Sequence, residues 1–172
     1  MRRDTFGLVF SNAGESLIRE MTQERCFASL PFGGRYRMID FMLSNMVHAG
    51  ISKVGIITTT NYRSLMDHLG SGKPWDMARK KDGIVIFPPY ITNGITARYN
   101  RVTELYGILR YLSLSEQEYV FCTDCDVVCN FDLDDIARYH MDKEADITLV
   151  YRRGPLPKNQ ENRMVFHCGP SG

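Results

Sequence analysis

The sequence predicts an α/β fold with a mostly parallel β-sheet that is covered by helices on both faces. Apolar runs of strand length alternate along the chain with segments of helical period, and 172 residues suffice for one domain with a substantial core. Regular alternation of strand and helix favours a parallel sheet, because each helix carries the chain across a face of the sheet to the next strand.

Short apolar runs predict the strands, and the second of them is β-branched and nearly continuous. The predicted strands are residues 6–10, 54–60, 84–87, 119–123 and 147–152. Helical periodicity predicts helices over residues 39–48, 62–69, 102–112 and 133–143. We expect Asn61 to cap the second helix and Gly70 to end it, while Asp132 and Asp135 form a capping pattern at the start of the last.

Composition excludes several classes of function. The net charge is +1 with a pI near 7.6, so no nucleic-acid or membrane surface is indicated. The apolar run at residues 6–10 is too short for a signal-peptide core or a membrane span. Five cysteines, an odd number in a chain without an export signal, favour reduced thiols in the cytoplasm.

The last twenty residues, 153–172, mix glycine, proline and polar residues, with one short apolar piece. Compact α/β domains rarely end in this way. We therefore expect the chain to be a fragment, or its sheet to be completed by residues outside it.

Two loops follow predicted strands at the sheet edge where ligands bind in such folds. The first contains Ser11, Asn12, Ala13 and Gly14. A phosphate-binding loop needs several glycines so that consecutive backbone N–H groups can converge on oxygen atoms. This loop has one glycine and is followed by Glu15, so it is a poor triphosphate site.

The second loop carries Asp124 and Asp126, two carboxylates one residue apart at the end of a strand. Such a pair can hold Mg²⁺ or Mn²⁺, which in turn bridges the phosphates of a nucleotide. Acidic loops after strands also serve as solvated turns or helix caps, and the spacing does not distinguish these roles.

Cysteines near this loop could suggest a zinc or iron–sulfur site. The candidate ligands are Cys122, Cys125, Cys129, His167 and Cys168. Their spacing matches no standard cluster motif, and Cys122 and Cys125 would point to opposite faces of an extended strand. We expect small buried thiols instead.

Residues 31–45, PFGGRYRMIDFMLSN, resemble the PFGGKYRIIDFxLSN motif of the ADP-glucose pyrophosphorylases. Residues 64–72 are similar to that family's SLxxHLGxG, and Pro88-Pro89 to its LPP segment, so that the resemblance covers about residues 6–152. It implies a Rossmann-like nucleotide-diphospho-sugar transferase fold with a mixed sheet. The implied reaction joins ATP and glucose 1-phosphate to give ADP-glucose and pyrophosphate for glycogen synthesis, with Mg²⁺ as cofactor.

Several departures from the family pattern concern the phosphates. Residues 9–17, VFSNAGESL, replace the glycine-rich LAGGxGxRL loop, and Phe27 takes the place of the phosphate lysine. The resemblance thus implies no intact catalytic residue. Tyr90 replaces the glutamine that meets adenine. In the other direction, Asp126 falls on the metal-binding aspartate of the family's GDH motif, which makes it a better metal candidate than Asp124.

An intact fold motif with eroded phosphate contacts resembles the regulatory-type subunit that some bacteria pair with a catalytic one. The implied partners are that catalytic subunit or further copies of the same chain, together with nucleotides and sugar phosphates. An inactive paralogue without a regulatory role would carry the same erosion. The resemblance also implies that residues 1–172 form an incomplete nucleotidyltransferase-like domain, with the sugar-phosphate site and a C-terminal β-helix domain beyond Gly172.

Two other functions remain open. Asp124 and Asp126 could form the DxD metal site of a nucleotide-sugar glycosyltransferase, a reading that leaves residues 31–45 unexplained. Alternatively, the domain could bind no ligand and act only as an oligomerisation module.

Overall fold

A computed structural model of the chain describes residues 4–12, 18–78, 82–89 and 101–154. Two sheets and five α-helices lie within them. The strands are β1 (Thr5–Phe10), β2 (Pro31–Phe32), β3 (Tyr36–Arg37), β4 (Lys53–Ile57), β5 (Gly83–Phe87) and β6 (Tyr119–Asp124). The helices are α1 (Arg19–Thr22), α2 (Met38–His48), α3 (Arg63–Leu69), α4 (Arg101–Ser113) and α5 (Leu133–Asp142).

The main sheet has four strands in the order β5-β4-β1-β6, and all three neighbouring pairs are parallel. This confirms the predicted α/β fold and its parallel sheet. The antiparallel pairing that the structure describes lies in a separate ribbon of β2 and β3. In the register of the main sheet, Phe10 at the end of β1 lies beside Ile57 of β4 and Asp124 of β6. The loops that follow these three strands therefore start from one edge.

Helices cover both faces of the sheet, as the sequence predicts. Phe6, Leu8 and Phe10 are buried in one cluster with Ile108 of α4. The other face lies against α2, since a Cβ placed on Gly7 would come 2.7 Å from Sδ of Met46. Successive side chains of a strand point to opposite faces, so α4 and α2 lie on opposite sides of β1.

Two predictions about helix starts have different outcomes. Asp132 does cap α5, because its Oδ1 accepts a hydrogen bond from the backbone N–H of Asp135 at 3.0 Å. The predicted cap by Asn61 is wrong. Asn61 has a positive φ of 51°, and its side chain donates to the carbonyls of Thr22 and Gln23 at 3.2 and 2.9 Å, which joins the segment after α1 to that after β4.

The chain divides into two compact units, Met1–Asp135 and Ile136–Gly172. In the second unit a ring nitrogen of His140 lies 2.8 Å from Oγ1 of Thr148. The predicted strand at residues 147–152 is wrong, because these residues form no strand. Ile147 is 79% exposed and Leu149 58%, and the described residues of this unit contain no second strand for backbone pairing.

The packing predicts that Gly55→Ala destabilises the fold by about 1–3 kcal/mol, the usual range for an overpacked core. A Cβ at Gly55 would lie 2.7 Å from the ring of Phe87 and 2.8 Å from that of Phe6. The matched control is Gly107→Ala in α4, where no atom lies within 4 Å and alanine should stabilise the helix by about 0.5–1 kcal/mol. Urea denaturation measures both, and equal stability of the two variants would contradict this packing.

Candidate functional site

Three loops meet at the carboxyl edge of the parallel sheet, after β1, β4 and β6. In open α/β sheets ligands bind at this edge, so the candidate site lies here. Ser11 and Asn12 belong to the first loop, Thr58 to Asn61 to the second, and Cys125 and Asp126 to the third. Ala13, Gly14 and Tyr90, which the sequence assigns to a degenerate nucleotide site, lie outside the described residues.

Ser11 is fully buried, and its backbone joins the first loop to two others. Its N–H donates to the carbonyl of Ile57 at 3.0 Å, and its carbonyl accepts from the N–H of Ala28 at 3.0 Å. The Sγ of Cys125 lies 3.6 Å from the same carbonyl. The backbone polar groups of Ser11 thus bond within the protein instead of facing a ligand.

The side chain of Asn12 is also occupied by protein groups. Its Oδ1 accepts from the N–H of Thr59 at 3.0 Å and from Oγ of Ser11 at 2.7 Å. Its Nδ2 donates to the carbonyl of Thr60 at 3.4 Å. Asn12 therefore ties the loop after β1 to the loop after β4.

Phe27 begins a short 3₁₀ helix, Phe27–Ser29, and is half-buried. The next residue, Ala28, is the one that bonds to Ser11, so Phe27 lies at the start of a segment attached to the first loop. An aromatic ring offers neither a positive charge nor a donor for phosphate oxygens. The correspondence of Phe27 to the family's phosphate lysine stays a prediction.

Cys125 is a structural thiol. It is fully buried and its Sγ lies 3.4 Å from the carbonyl of Phe10. Burial raises the pKa of this thiol well above its ordinary value, which keeps it protonated as a donor. The expectation of buried thiols is wrong for Cys122, which is exposed. Within the described residues no three metal-binding side chains come together, and Cys168 and His167 lie outside them.

Asp124 ends β6 on the face that α4 covers, and it pairs with Arg101, the first residue of α4. An Nη2–H of Arg101 donates to Oδ1 of Asp124. The guanidinium carbon also lies 4.1 Å from the centre of the Phe10 ring, within the range of a cation–π interaction. Burial raises the pKa of the Asp124 carboxyl, and the hydrogen bond and charge of Arg101 oppose that rise.

Asp126 lies two residues further on and is half-buried. In the described parts of the chain its carboxylate makes no hydrogen bond or ion pair, although its charge helps to raise the pKa of Asp124. Mg²⁺ prefers oxygen ligands and is often held by one or two carboxylates together with substrate phosphates. Asp126 fits that role. In Asp124, Oδ1 accepts a bond from Arg101, and the metal role of both residues stays a prediction.

Three residues near Asp124 carry no motif that marks them as site residues in the sequence: Arg101, Phe10 and Glu104. Arg101 did leave one signal. A cation in the first turn of a helix opposes the helix dipole, which favours acidic residues there. The position of Arg101 at the start of a helix that follows a long polar segment therefore indicates that a partner outside the helix holds it.

We predict that Asn12→Ala lowers the free energy of unfolding by about 1 kcal/mol, because the partly buried N–H of Thr59 loses its acceptor. Asn130→Ala, at an exposed loop position, is the control and should leave stability unchanged. Chemical denaturation of both variants measures the difference. Unchanged stability of the Asn12 variant would show that water replaces the side chain without penalty.

Glu104 gives a prediction about pH. It lies one turn after Arg101, and burial raises the pKa of its carboxyl above 4.5, with Arg101 lowering it and Asp124 raising it. A raised folded-state pKa contributes stability that is fully present below the unfolded value and is lost as the pH rises through the folded value. Glu104→Gln should therefore match the wild type below pH 4.5 and have the higher Tm at neutral pH.

Thermal unfolding at both pH values measures this difference, and Glu116→Gln, at an exposed position, controls for the loss of one negative charge. A Tm difference that is the same at both pH values would contradict the assignment of the shift to Glu104.

Comparison with known proteins identifies relatives over most of the chain. A profile of the nucleotidyl transferase family matches residues 15–162. The glycogen biosynthesis protein GlgD of Bacillus subtilis is 37% identical over 148 residues, which are 86% of this chain and 43% of that protein. A glucose-1-phosphate adenylyltransferase of Thermotoga maritima is 33% identical over 154 residues, 89% of this chain and 36% of that enzyme.

Solved structures support the fold. A crystal structure of a putative glucose-1-phosphate thymidylyltransferase from Bacillus anthracis superimposes with a TM-score of 0.61 at 16% identity, covering 81% of this chain and 51% of that one. The chain spans less than half the length of the two curated relatives described above. None of the described helices is long and apolar enough to cross a membrane. The profile match and the relatives' identity show that the chain belongs to the nucleotidyl transferase family.

Proposed function

We propose that this chain is the nucleotide-binding half of a subunit of glucose-1-phosphate adenylyltransferase that serves glycogen synthesis. Its relatives support the pathway, since one is named as a glycogen biosynthesis protein and another as the adenylyltransferase itself. We further propose that the subunit is regulatory and has weak or no activity of its own. The proposal of weak or absent activity is supported by the hydrogen bonding of Ser11 and Asn12 in the loop after β1.

The two described residues of the loop after β1, Ser11 and Asn12, bond to other parts of the protein. Asn12 is engaged with the loop after β4, and the carbonyl and N–H of Ser11 bond to Ala28 and Ile57. A phosphate site requires backbone N–H groups that are free to meet the oxygens of the ligand. The backbone groups of Ser11 and the side chain of Asn12 bond to protein partners instead.

The replacement of the family's phosphate lysine by Phe27 removes a further contact to the phosphates. Loss of one preorganised contact to a transferring phosphoryl group costs about 3–4 kcal/mol, which is roughly two to three decades in rate. Phe27 at the position of the phosphate lysine would remove such a contact. The loss of the glycine loop would slow the reaction further, although the two effects need not add.

Asp126 is the residue that we propose for the magnesium ion of the family reaction. Its carboxylate makes no bond to the described residues, and nucleotide phosphates would supply further oxygen ligands. When bound, Mg²⁺ neutralises phosphate charge and orients the nucleotide. The chain's own part is to hold one carboxylate beside the carboxyl end of β1, through the buried Cys125 that precedes it.

The proposed partner is the catalytic subunit of the same enzyme, in a cytoplasmic hetero-oligomer. Small-molecule nucleotides and sugar phosphates are the proposed ligands. In this proposal the altered phosphate site binds a nucleotide only weakly.

The test is formation of ADP-glucose from ATP and glucose 1-phosphate with Mg²⁺, by the complete polypeptide that contains this chain. We expect a rate at least about a hundredfold below that of the catalytic subunit when the protein is assayed alone, given the lost phosphate contacts. Mixed with the catalytic subunit, it should raise activity or change the response to effectors. Robust turnover alone would contradict the regulatory role, and an unchanged mixture would favour an inactive paralogue.

Two alternatives have their own tests. A DxD glycosyltransferase would hydrolyse a donor nucleotide sugar in the presence of Mn²⁺, and the pairing of Asp124 with Arg101 weighs against it. A ligand-free oligomerisation module would show no thermal shift with nucleotides, sugar phosphates or glycolytic intermediates, because no ligand would stabilise the native state.

A further inference from the structure

At the carboxyl edge of the sheet, Arg101 pairs with one carboxylate, and two further carboxylates interact electrostatically with members of this pair. Asp124 is paired with Arg101. The charge of Asp126 acts on Asp124, and the charges of Arg101 and Asp124 act on Glu104. We call these four residues the Arg101 cluster. With all groups ionised, the cluster carries three negative charges and one positive charge. A cluster with this balance attracts cations, and Arg101 is the cation that the chain itself supplies.

Arg101 is held more firmly than a typical surface cation. Side-chain exposure is 45% for Arg101 and 33% for Asp124, and an exposed pair alone would contribute little because both side chains could move apart in water. The Phe10 ring beneath the guanidinium is only 5% exposed and belongs to the core, so it does not move with the loop. The guanidinium is therefore fixed by a carboxylate at its edge and an aromatic face below it.

We propose that Arg101 is the resident cation of this cluster and excludes a divalent metal ion from Asp124, which leaves Asp126 as the one carboxylate of the pair that is open to metal. A divalent ion at Asp124 would have to displace the guanidinium or bind beside a positive charge. Both alternatives oppose binding, because like charges repel and Asp124 would lose its hydrogen bond. Asp124 is then the residue that positions Arg101.

Removal of the guanidinium should turn the Arg101 cluster into a divalent-cation site. Asp124 would lose its partner, and the cluster would become more negative by one charge. Asp124 and Asp126 follow each other at the same strand end and would then both offer oxygen ligands. This inference rests on the metal role proposed above for Asp126, and it does not depend on the nucleotide or on the subunit role.

The experiment is a titration of the full chain with Mn²⁺ in the absence of nucleotide, with free Mn²⁺ measured by electron paramagnetic resonance. The variants are Arg101→Gln, Asp124→Asn and the double variant, and Arg110→Gln at an exposed position further along α4 is the matched control. We expect Arg101→Gln to bind Mn²⁺ at least about tenfold more tightly than the wild type, because Asp124 then becomes free to act as a second carboxylate ligand. The double variant should lose this gain, and Arg110→Gln should behave as the wild type.

Asp124→Asn in the wild-type background is the decisive single variant, and we expect it to leave Mn²⁺ affinity within about twofold, because Asp124 binds Arg101 and not the metal. A tenfold loss in this variant, or no gain in Arg101→Gln, would overturn the proposal. Circular dichroism checks folding. If the Gln variant does not fold, Arg101→Met keeps an unbranched apolar side chain over Phe10 without the charge, and the same gain is expected.

Discussion

Strand β1 is hydrogen-bonded on both sides, to β4 and to β6, and the geometry of the site follows from this central position. Its register sets Phe10 level with Ile57 and Asp124, so that three loops leave the sheet from one line. All six residues of β1 are buried. The register of a strand enclosed in this way cannot shift by one residue. Such a shift would move every side chain of the strand to the opposite face of the sheet.

Phe10 connects this buried strand to the charges at the surface. Its side chain belongs to the core cluster below α4, and its ring also lies beneath the guanidinium of Arg101. A change in the packing of α4 against β1 would therefore move Arg101 relative to Asp124. The position of the partly exposed pair of Arg101 and Asp124 thus depends on the apolar packing of Phe10 in the core.

Much of the fold could be predicted from the sequence, because period and apolar character report local structure directly. The four strands of the main sheet, the long helices and the cap by Asp132 follow from patterns of this kind. The failures have a different source. Asn61 is a good cap residue by type, but tertiary partners near α1 compete for its side chain. The strand predicted at residues 147–152 has suitable residues but no neighbouring strand among those described.

The candidate site was predictable only where family motifs or strand ends mark positions. Asp124 and Asp126 are visible because they follow a buried strand, and nothing in their spacing distinguishes one from the other. The distinction arises from Arg101, which is 23 residues away from Asp124 in sequence and comes to it only through the packing of α4 on the sheet. Long-range pairs of this kind leave no periodic signal.

The loop after β1 and the Arg101 cluster show two ways in which a binding edge can be ordered without a ligand. At Asn12, the neutral side-chain amide makes hydrogen bonds to the backbone of Thr59 and Thr60. At Asp124, a carboxylate must be neutralised, since burial without a partner would favour its protonated form. A guanidinium fixed on an aromatic ring meets this need at any metal concentration. An edge ordered in both ways by the protein's own groups does not need a ligand to complete its hydrogen bonds.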